Sequence, residues 1–146
     1  MMEVEFVAQL KTVPLFSKMD DEVLAELAAG SECRQFPSGT AVFREGDRAR
    51  ELYVILSGEV AIEKTTEAGA VRLAVLRPYS CFGDMSVFDE APRSATARTG
   101  TECSLLCLAG SALRVVCRRH PELYEEFIKI LSRRLRQTDA RFAAVG

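Results

Sequence analysis

One segment of the chain concentrates residues that could bind an anion. Residues 82–96 read FGDMSVFDEAPRSAT. Gly83 lets the backbone approach a ligand closely, and the residues after it can form a single helical turn whose free N–H groups point at an anion. The guanidinium of Arg93 supplies a planar fork of donors that suits two phosphate oxygens. The 82–96 segment is therefore a candidate phosphate-binding site.

Asp84 needs its own explanation, because a carboxylate repels phosphate. Its side chain could accept a hydrogen bond from a sugar hydroxyl. It could equally be the counter-ion of Arg93, in which case the segment is a turn with a surface salt bridge. The residue types alone leave both interpretations open.

Short β-strands surround this segment. From residue 31 to residue 108, runs of β-forming residues alternate with turns of Gly, Pro and Asp. Seven or eight short antiparallel strands in this space indicate a sandwich or a barrel. The predicted strands are residues 32–36, 40–43, 51–56, 59–64, 70–76, 94–99 and 103–108. Helical segments flank them: residues 2–10 and 20–30 before the strands, and residues 111–119 and 122–144 after them.

Length and composition predict one globular domain. The chain has 146 residues, of which 48% are hydrophobic and 27% are charged, as in ordinary single-domain proteins. We expect N-terminal helices in residues 1–30, the β-structure in residues 31–109 and C-terminal helices in residues 110–146. No apolar run approaches the ~20 residues that a membrane helix needs, and the start carries no secretion signal. The expected location is therefore the cytoplasm, without membrane contact.

The cysteines and the single histidine predict no metal site. Five cysteines without a C-x-x-C pair favour free thiols. Cys103 and Cys107 lie on one predicted strand, where four residues span roughly 13 Å, too far for one disulfide or one shared metal ion. We expect both as small buried side chains. His120 precedes Pro121 in a turn between helices and is expected to be structural.

The last helix carries two apolar stripes. The first is a seam with alternating spacings of four and three residues: Tyr124, Ile128, Leu131, Leu135, Thr138, Phe142 and Val145. The second stripe consists of Leu123, Phe127 and Ile130 and can pack on the chain's own β-structure. We expect the seam, residues 124–145, to form a homodimer with the same helix of a second copy. The alternative is that both stripes pack inside one core.

The C-terminal part is basic although the whole chain has a net charge of -2. Residues 114–146 contain eight Arg or Lys residues and four Asp or Glu residues. A basic region can bind nucleic acid. However, the sequence stops just past the last helix, without a further helix to enter a major groove. The expectation is that this chain does not bind DNA.

The 82–96 segment resembles the phosphate-binding cassette of cyclic nucleotide-binding domains. That cassette usually reads F-G-E-[L/M]-[A/S] and continues with P-R-[S/A/T]-A, while this chain has F-G-D-M-S-x(6)-R-S-A-T. Residues 44–47 (REGD) and 52–60 (LYVILSGEV) are similar to the family's strand and hairpin segments. The resemblance covers about residues 10–145. It implies a mainly β fold: an antiparallel jelly-roll β-barrel with flanking N-terminal helices and a long C-terminal helix.

The resemblance also implies a role for each matching residue. Ser86, Arg93 and Ser94 would hold the cyclic phosphate, and Gly83 and Asp84 would hold the ribose 2′-hydroxyl. Asp84 stands where the family usually has Glu, which is one methylene longer. Ile62 and Leu73 would cover the base.

Residues 133–139 (RRLRQTD) are similar to the long helix of the family's catabolite activators, which reads R-R-L-x-x-T-S. The match implies that Thr138, and Asp139 in place of Ser, read the base as adenine, so that cAMP is favoured over cGMP. The implied function is a cyclic nucleotide-sensing domain without its own DNA-binding module. No Ser/His/Asp set or metal cluster suggests an enzyme. Two alternatives remain: a degenerate domain that binds a protein partner, and the truncated sensor half of a transcription regulator.

Overall fold

The computed structural model describes the backbone of residues 2–145 and the side chains of residues 5–137. Five helices and eight strands follow one another in this part of the chain: α1 (Met2–Lys11), α2 (Asp21–Ala29), β1 (Ser31–Phe36), β2 (Ala41–Phe43), β3 (Glu51–Ser57), β4 (Val60–Thr66), β5 (Gly69–Leu76), β6 (Cys81–Phe82), α3 (Asp84–Asp89), β7 (Thr96–Thr99), β8 (Cys103–Ala109), α4 (Gly110–Arg119) and α5 (Glu122–Val145). None of these helices is long and apolar enough to cross a membrane.

The strands form two antiparallel sheets. One has the order β1-β8-β3-β6 and the other the order β2-β7-β4-β5. Within the described residues, no hydrogen-bonded ladder joins the sheets, and β2 and β6 have only three and two residues. The predicted antiparallel strands and flanking helices are confirmed, but a closed barrel is not. "Mainly β" also needs correction, because the chain is mixed and α5 alone spans 24 residues.

The predicted strands all occur, with bounds that differ by at most two residues. The strand expected at residues 94–99 begins only at Thr96, because Ser94 and Ala95 form a bend after Arg93. Sequence reasoning missed β6, since two residues are too few to show an alternating pattern. This short strand nevertheless pairs with β3 and leads directly into the 82–96 segment.

Strands β3 and β8 are buried on both faces of their sheet. Successive side chains of a strand point to opposite faces, so Leu52 and Val54 enter a core shared with the helices. Tyr53 and Ile55 enter a second core between the two sheets. That second core also holds Cys103 and Cys107, which are buried free thiols as predicted. Burial raises the pKa of the Cys107 thiol to about 12.

Helix α5 separates its two apolar stripes. Leu123 and Phe127 are buried in the helical core, and Ile130 packs against it. On the seam, by contrast, Tyr124, Ile128 and Leu135 have 45%, 63% and 63% of their surface exposed. The alternative that both stripes pack inside one core is therefore wrong for the described residues of this chain. The seam residues Thr138, Phe142 and Val145 lie outside the described side chains.

Candidate functional site

A cavity of about 210 Å³ lies against the 82–96 segment. Six of the nine predicted site residues line it: Ile62, Gly83, Asp84, Ser86, Arg93 and Ser94. Five further residues complete the lining and were not predicted: Phe43, Cys81, Phe82, Met85 and Ala95. The cavity thus brings together the residues assigned to the phosphate and to the ribose.

The residues assigned to the base are placed differently. Ile62, on β4, lines the cavity. Leu73 lies on β5, at the edge of its sheet, is 59% exposed and does not line the cavity. Thr138 and Asp139 lie outside the described side chains. Of the four predicted base contacts, only Ile62 therefore has a described position at the cavity.

Gly83 is required by both its conformation and its surroundings. It stands before α3 with a φ of 77°, in the left-handed region that side chains disfavour. A Cβ atom there would lie 2.8 Å from Nη1 of Arg93 and 3.2 Å from Cε2 of Phe43. The absent side chain therefore lets Arg93 pack directly on the turn. The helical turn predicted after Gly83 is confirmed as α3.

Arg93 is a buried cation, with only 4% of its surface exposed. Its Nη1 donates to the carbonyl oxygen of Gly83 at 2.6 Å, and its Nη2 donates to the carbonyl oxygen of Glu51. Its guanidinium carbon lies 4.0 Å from the ring centre of Phe43. The buried Nε has no hydrogen-bond partner, and no carboxylate of the described residues forms an ion pair with this side chain. Burial lowers the pKa of Arg93.

Asp84 is not the counter-ion of Arg93. Its carboxylate is buried, and Oδ2 accepts a hydrogen bond from Nη1 of Arg134 on α5 at 2.8 Å. The interpretation of the 82–96 segment as a turn with a surface Asp84–Arg93 salt bridge is therefore wrong. Arg134 belongs to the RRLRQTD motif, but its spacing from Asp84 gave no sign of this contact.

Further contacts hold α3 to both C-terminal helices. The rings of Phe88 and Phe127 lie 5.1 Å apart, joining α3 to α5. Arg114 of α4 donates to the carbonyl oxygen of Val87 at 3.1 Å and pairs with Glu90 at 3.4 Å. The 82–96 segment thus lines the cavity and also packs against both α4 and α5.

Glu51, whose carbonyl oxygen accepts a hydrogen bond from Arg93, is itself fixed by two side-chain hydrogen bonds. The carboxylate of Glu51 accepts hydrogen bonds from Arg34 at 2.6 Å and from the hydroxyl of Tyr53 at 3.0 Å. Burial, followed by the charge of Glu51, raises the pKa of Tyr53, so its hydroxyl stays a donor. The carbonyl oxygen that accepts the hydrogen bond from Arg93 therefore belongs to Glu51, a residue whose side chain is itself fixed by hydrogen bonds.

The groups that line the cavity could bind an anion and could accept a hydrogen bond from a hydroxyl group beside it. It offers one buried guanidinium, one buried carboxylate, the side chains of Ser86 and Ser94, and an apolar wall. Within the described part of the chain, no group of three His, Cys, Asp or Glu side chains could hold a metal ion. His120 lies instead near the carboxylates of Glu26 and Glu122.

Two curated relatives cover most of this chain. A CRP-like cAMP-activated global transcriptional regulator of Mycobacterium tuberculosis is 34% identical over 130 residues, which are 88% of this chain and 58% of the regulator. The cyclic AMP receptor protein of Thermus thermophilus is 34% identical over 131 residues, which are 89% of this chain and 61% of that protein. The chain thus spans about three fifths of the length of these relatives.

A solved structure and a family profile agree with these relatives. The N-terminal domain of a transcriptional regulator from Streptomyces coelicolor is 36% identical, with a TM-score of 0.76, and the match covers 92% of this chain and 94% of that domain. The family profile described as the cyclic nucleotide-binding domain matches residues 33–120, which include the whole 82–96 segment. The chain therefore belongs to the cyclic nucleotide-binding domain family.

Proposed function

We propose that this chain binds a cyclic nucleotide in the cavity, with the cyclic phosphate on Arg93. The observation that carries the proposal is the state of the Arg93 side chain: buried, in no ion pair with the described residues, and with an unpartnered Nε. A buried charge is costly unless a partner compensates it. A phosphate in the cavity supplies the opposite charge and an acceptor, and Ser86 and Ser94 add polar groups beside it.

The ribose is proposed to bind at Gly83 and Asp84. Asp84 already accepts a hydrogen bond from Arg134 of α5. A ribose hydroxyl on the same carboxylate would therefore link the bound ligand to the position of this helix. We propose that the movement of α5 is the output of the domain, which acts by ligand-linked regulation and not by catalysis.

The proposed ligand is cAMP in preference to cGMP. The resemblance of residues 133–139 assigns base reading to Thr138 and Asp139, and both side chains can accept a hydrogen bond from adenine N6. Guanine presents O6, an acceptor, at the same edge. Both curated relatives described above carry cAMP or cyclic AMP in their names. Ile62 and Leu73 are the proposed apolar contacts of the base.

The exposed seam of α5 supports a homodimer. Tyr124, Ile128 and Leu135 together present an apolar stripe that the chain's own core leaves uncovered. We propose that the same stripe of a second copy covers it. The fold then works as one domain, residues 1–146, whose long helix is both the dimer contact and the moving part.

A second candidate is the sensor part of a longer transcription regulator. It is favoured by the lengths of the relatives, since the chain spans about three fifths of two such regulators. It makes the same prediction for the cavity, and it differs only in the partner that reads α5. The degenerate protein-binding domain differs at the cavity itself, because it predicts no nucleotide binding.

Titration calorimetry with cAMP, cGMP and 5′-AMP tests the proposal. We expect cAMP to bind about fivefold more tightly than cGMP, since one net hydrogen bond contributes ~0.5–1.5 kcal/mol. The non-cyclic 5′-AMP carries the same base and serves as the control for the cyclic phosphate. Thr138→Val and Asp139→Ala should reduce the preference for cAMP. No binding of either cyclic nucleotide would favour the degenerate domain.

A further inference from the structure

Phe43 lies beside Arg93 and Gly83 in the wall of the cavity. It is the last residue of β2, at a point where the β2–β7 ladder shifts register. Its ring centre lies 4.0 Å from the guanidinium carbon of Arg93, and its Cε2 lies 3.2 Å from the place where a Cβ of Gly83 would be. Phe43 also lines the cavity. No other aromatic ring approaches the described guanidinium groups this closely, the next contact being Tyr53 at 5.9 Å from Arg93.

The ring compensates part of the charge of Arg93. Two backbone carbonyl groups accept from Nη1 and Nη2, but no carboxylate of the described residues pairs with the side chain. The face of an aromatic ring carries partial negative charge and attracts a cation, more strongly where water is excluded. Among the described aromatic rings, Phe43 is therefore the one that lies nearest to this guanidinium.

Neighbouring rings fix the plane of Phe43. The ring centres of Tyr53 and Phe82 lie 5.9 Å and 6.0 Å from that of Phe43, and these two rings stack on each other at 5.2 Å. Because the three rings pack together, Phe43 cannot turn its face without disturbing the core between the sheets. The plane of the guanidinium is fixed in turn.

We propose that Phe43 is a positioning residue of the phosphate site: its ring holds the Arg93 guanidinium in the orientation that receives the anionic part of the ligand. This inference rests on the proposed function. Since Phe43 acts through the arginine, its loss weakens every ligand with a cyclic phosphate by the same factor and leaves the preference between bases unchanged. Replacing a residue that merely fills the core, without a contact to Arg93, would instead leave the affinity for both ligands nearly unchanged.

Replacement of the ring tests the inference. Phe43→Leu keeps an apolar side chain but removes the aromatic face, and we expect roughly tenfold weaker binding of both cAMP and cGMP in titration calorimetry. Phe43→Tyr keeps the face and should bind within about twofold of the parent protein. The matched control is Phe36→Leu, since Phe36 packs against the same core without a described contact to Arg93.

A second measurement uses the parent protein and so does not depend on whether a variant folds. In the ¹⁵N-labelled parent protein, the Nε–H signal of Arg93 should be displaced upfield by the ring of Phe43 and should move when cAMP is added. The inference is overturned if the Arg93 Nε–H signal shows no upfield displacement, or if Phe43→Leu keeps its full affinity for both nucleotides. The proposed function stands in either case. A parent protein that binds neither nucleotide overturns both.

Discussion

Asp84 and Arg134 are 50 residues apart in the sequence and form a hydrogen-bonded ion pair of 2.8 Å. The carboxylate side chain is 5% exposed and the guanidinium side chain 39% exposed, so the acidic partner is the one withdrawn from water. Asp84 begins α3, and Arg134 lies in the second half of α5. The pair therefore connects the wall of the cavity with the helix that we propose to be the output.

Loss of Arg134 should destabilise the fold. Arg134→Ala leaves the buried carboxylate of Asp84 without its cation, which costs about 1–3 kcal/mol of unfolding free energy. Urea unfolding measures the change. Arg133→Ala is the matched control on the same helix, because Arg133 is exposed, and should change the stability by less than ~0.5 kcal/mol. Equal losses in the two variants would mean that the ion pair contributes nothing.

Glu90 stores backbone strain at the end of α3. Its φ of 56° lies in the left-handed region, which costs a residue with a side chain roughly 1–2 kcal/mol. Glu90→Gly and Glu90→Ala both remove the exposed pair with Arg114, so the difference between them isolates the strain. The Gly variant should be more stable by about 1 kcal/mol in thermal unfolding. Equal stabilities would place the strain elsewhere.

A charge on the seam of α5 should separate the proposed dimer. Leu135 is 63% exposed in the single chain, and a glutamate there would face the same residue of the second copy without a cation. Sedimentation should show Leu135→Glu as a monomer and the parent protein as a dimer. Gln137→Glu adds the same charge at an exposed position on the side of the helix away from the seam and should leave the dimer intact. A parent protein that is monomeric at high micromolar concentration contradicts the proposed interface.

Structural elements could be predicted from the sequence where the pattern that defines them is local. Runs of β-forming residues between turn signals indicated β3 and β8, because a strand buried on both faces is apolar at nearly every position. The spacing of Leu123 and Phe127 separated the buried stripe of α5 from the exposed seam, because helical geometry alone decides which residues share a face. Gly83 and Arg93 were identified by residue type, and the cavity brings them together.

Contacts between residues that are far apart in the sequence could not be predicted from such local patterns. The partner of Asp84 is set by how α5 packs on α3, and the spacing of 50 residues carries no periodic signal. In the sequence, Phe43 is indistinguishable from any other phenylalanine of a β-strand. Only the fold places its ring against Arg93. Leu73 was assigned through resemblance, while its described position is an exposed edge strand.

Arg93 is the residue that we propose to bind the anionic part of a cyclic nucleotide. Removing a buried, hydrogen-bonded charge partner costs roughly 2–5 kcal/mol, about thirtyfold or more in affinity. Arg93→Lys keeps the positive charge without the planar fork and should fall between the parent protein and Arg93→Ala. Circular dichroism on each variant establishes that the fold is intact before binding is compared.

The most direct measurement is therefore the calorimetric dissociation constant of cAMP for the parent protein and for folded Arg93→Ala. We expect measurable binding by the parent protein and a loss of about thirtyfold or more in affinity in the variant. An unchanged dissociation constant in a folded Arg93→Ala protein would contradict it.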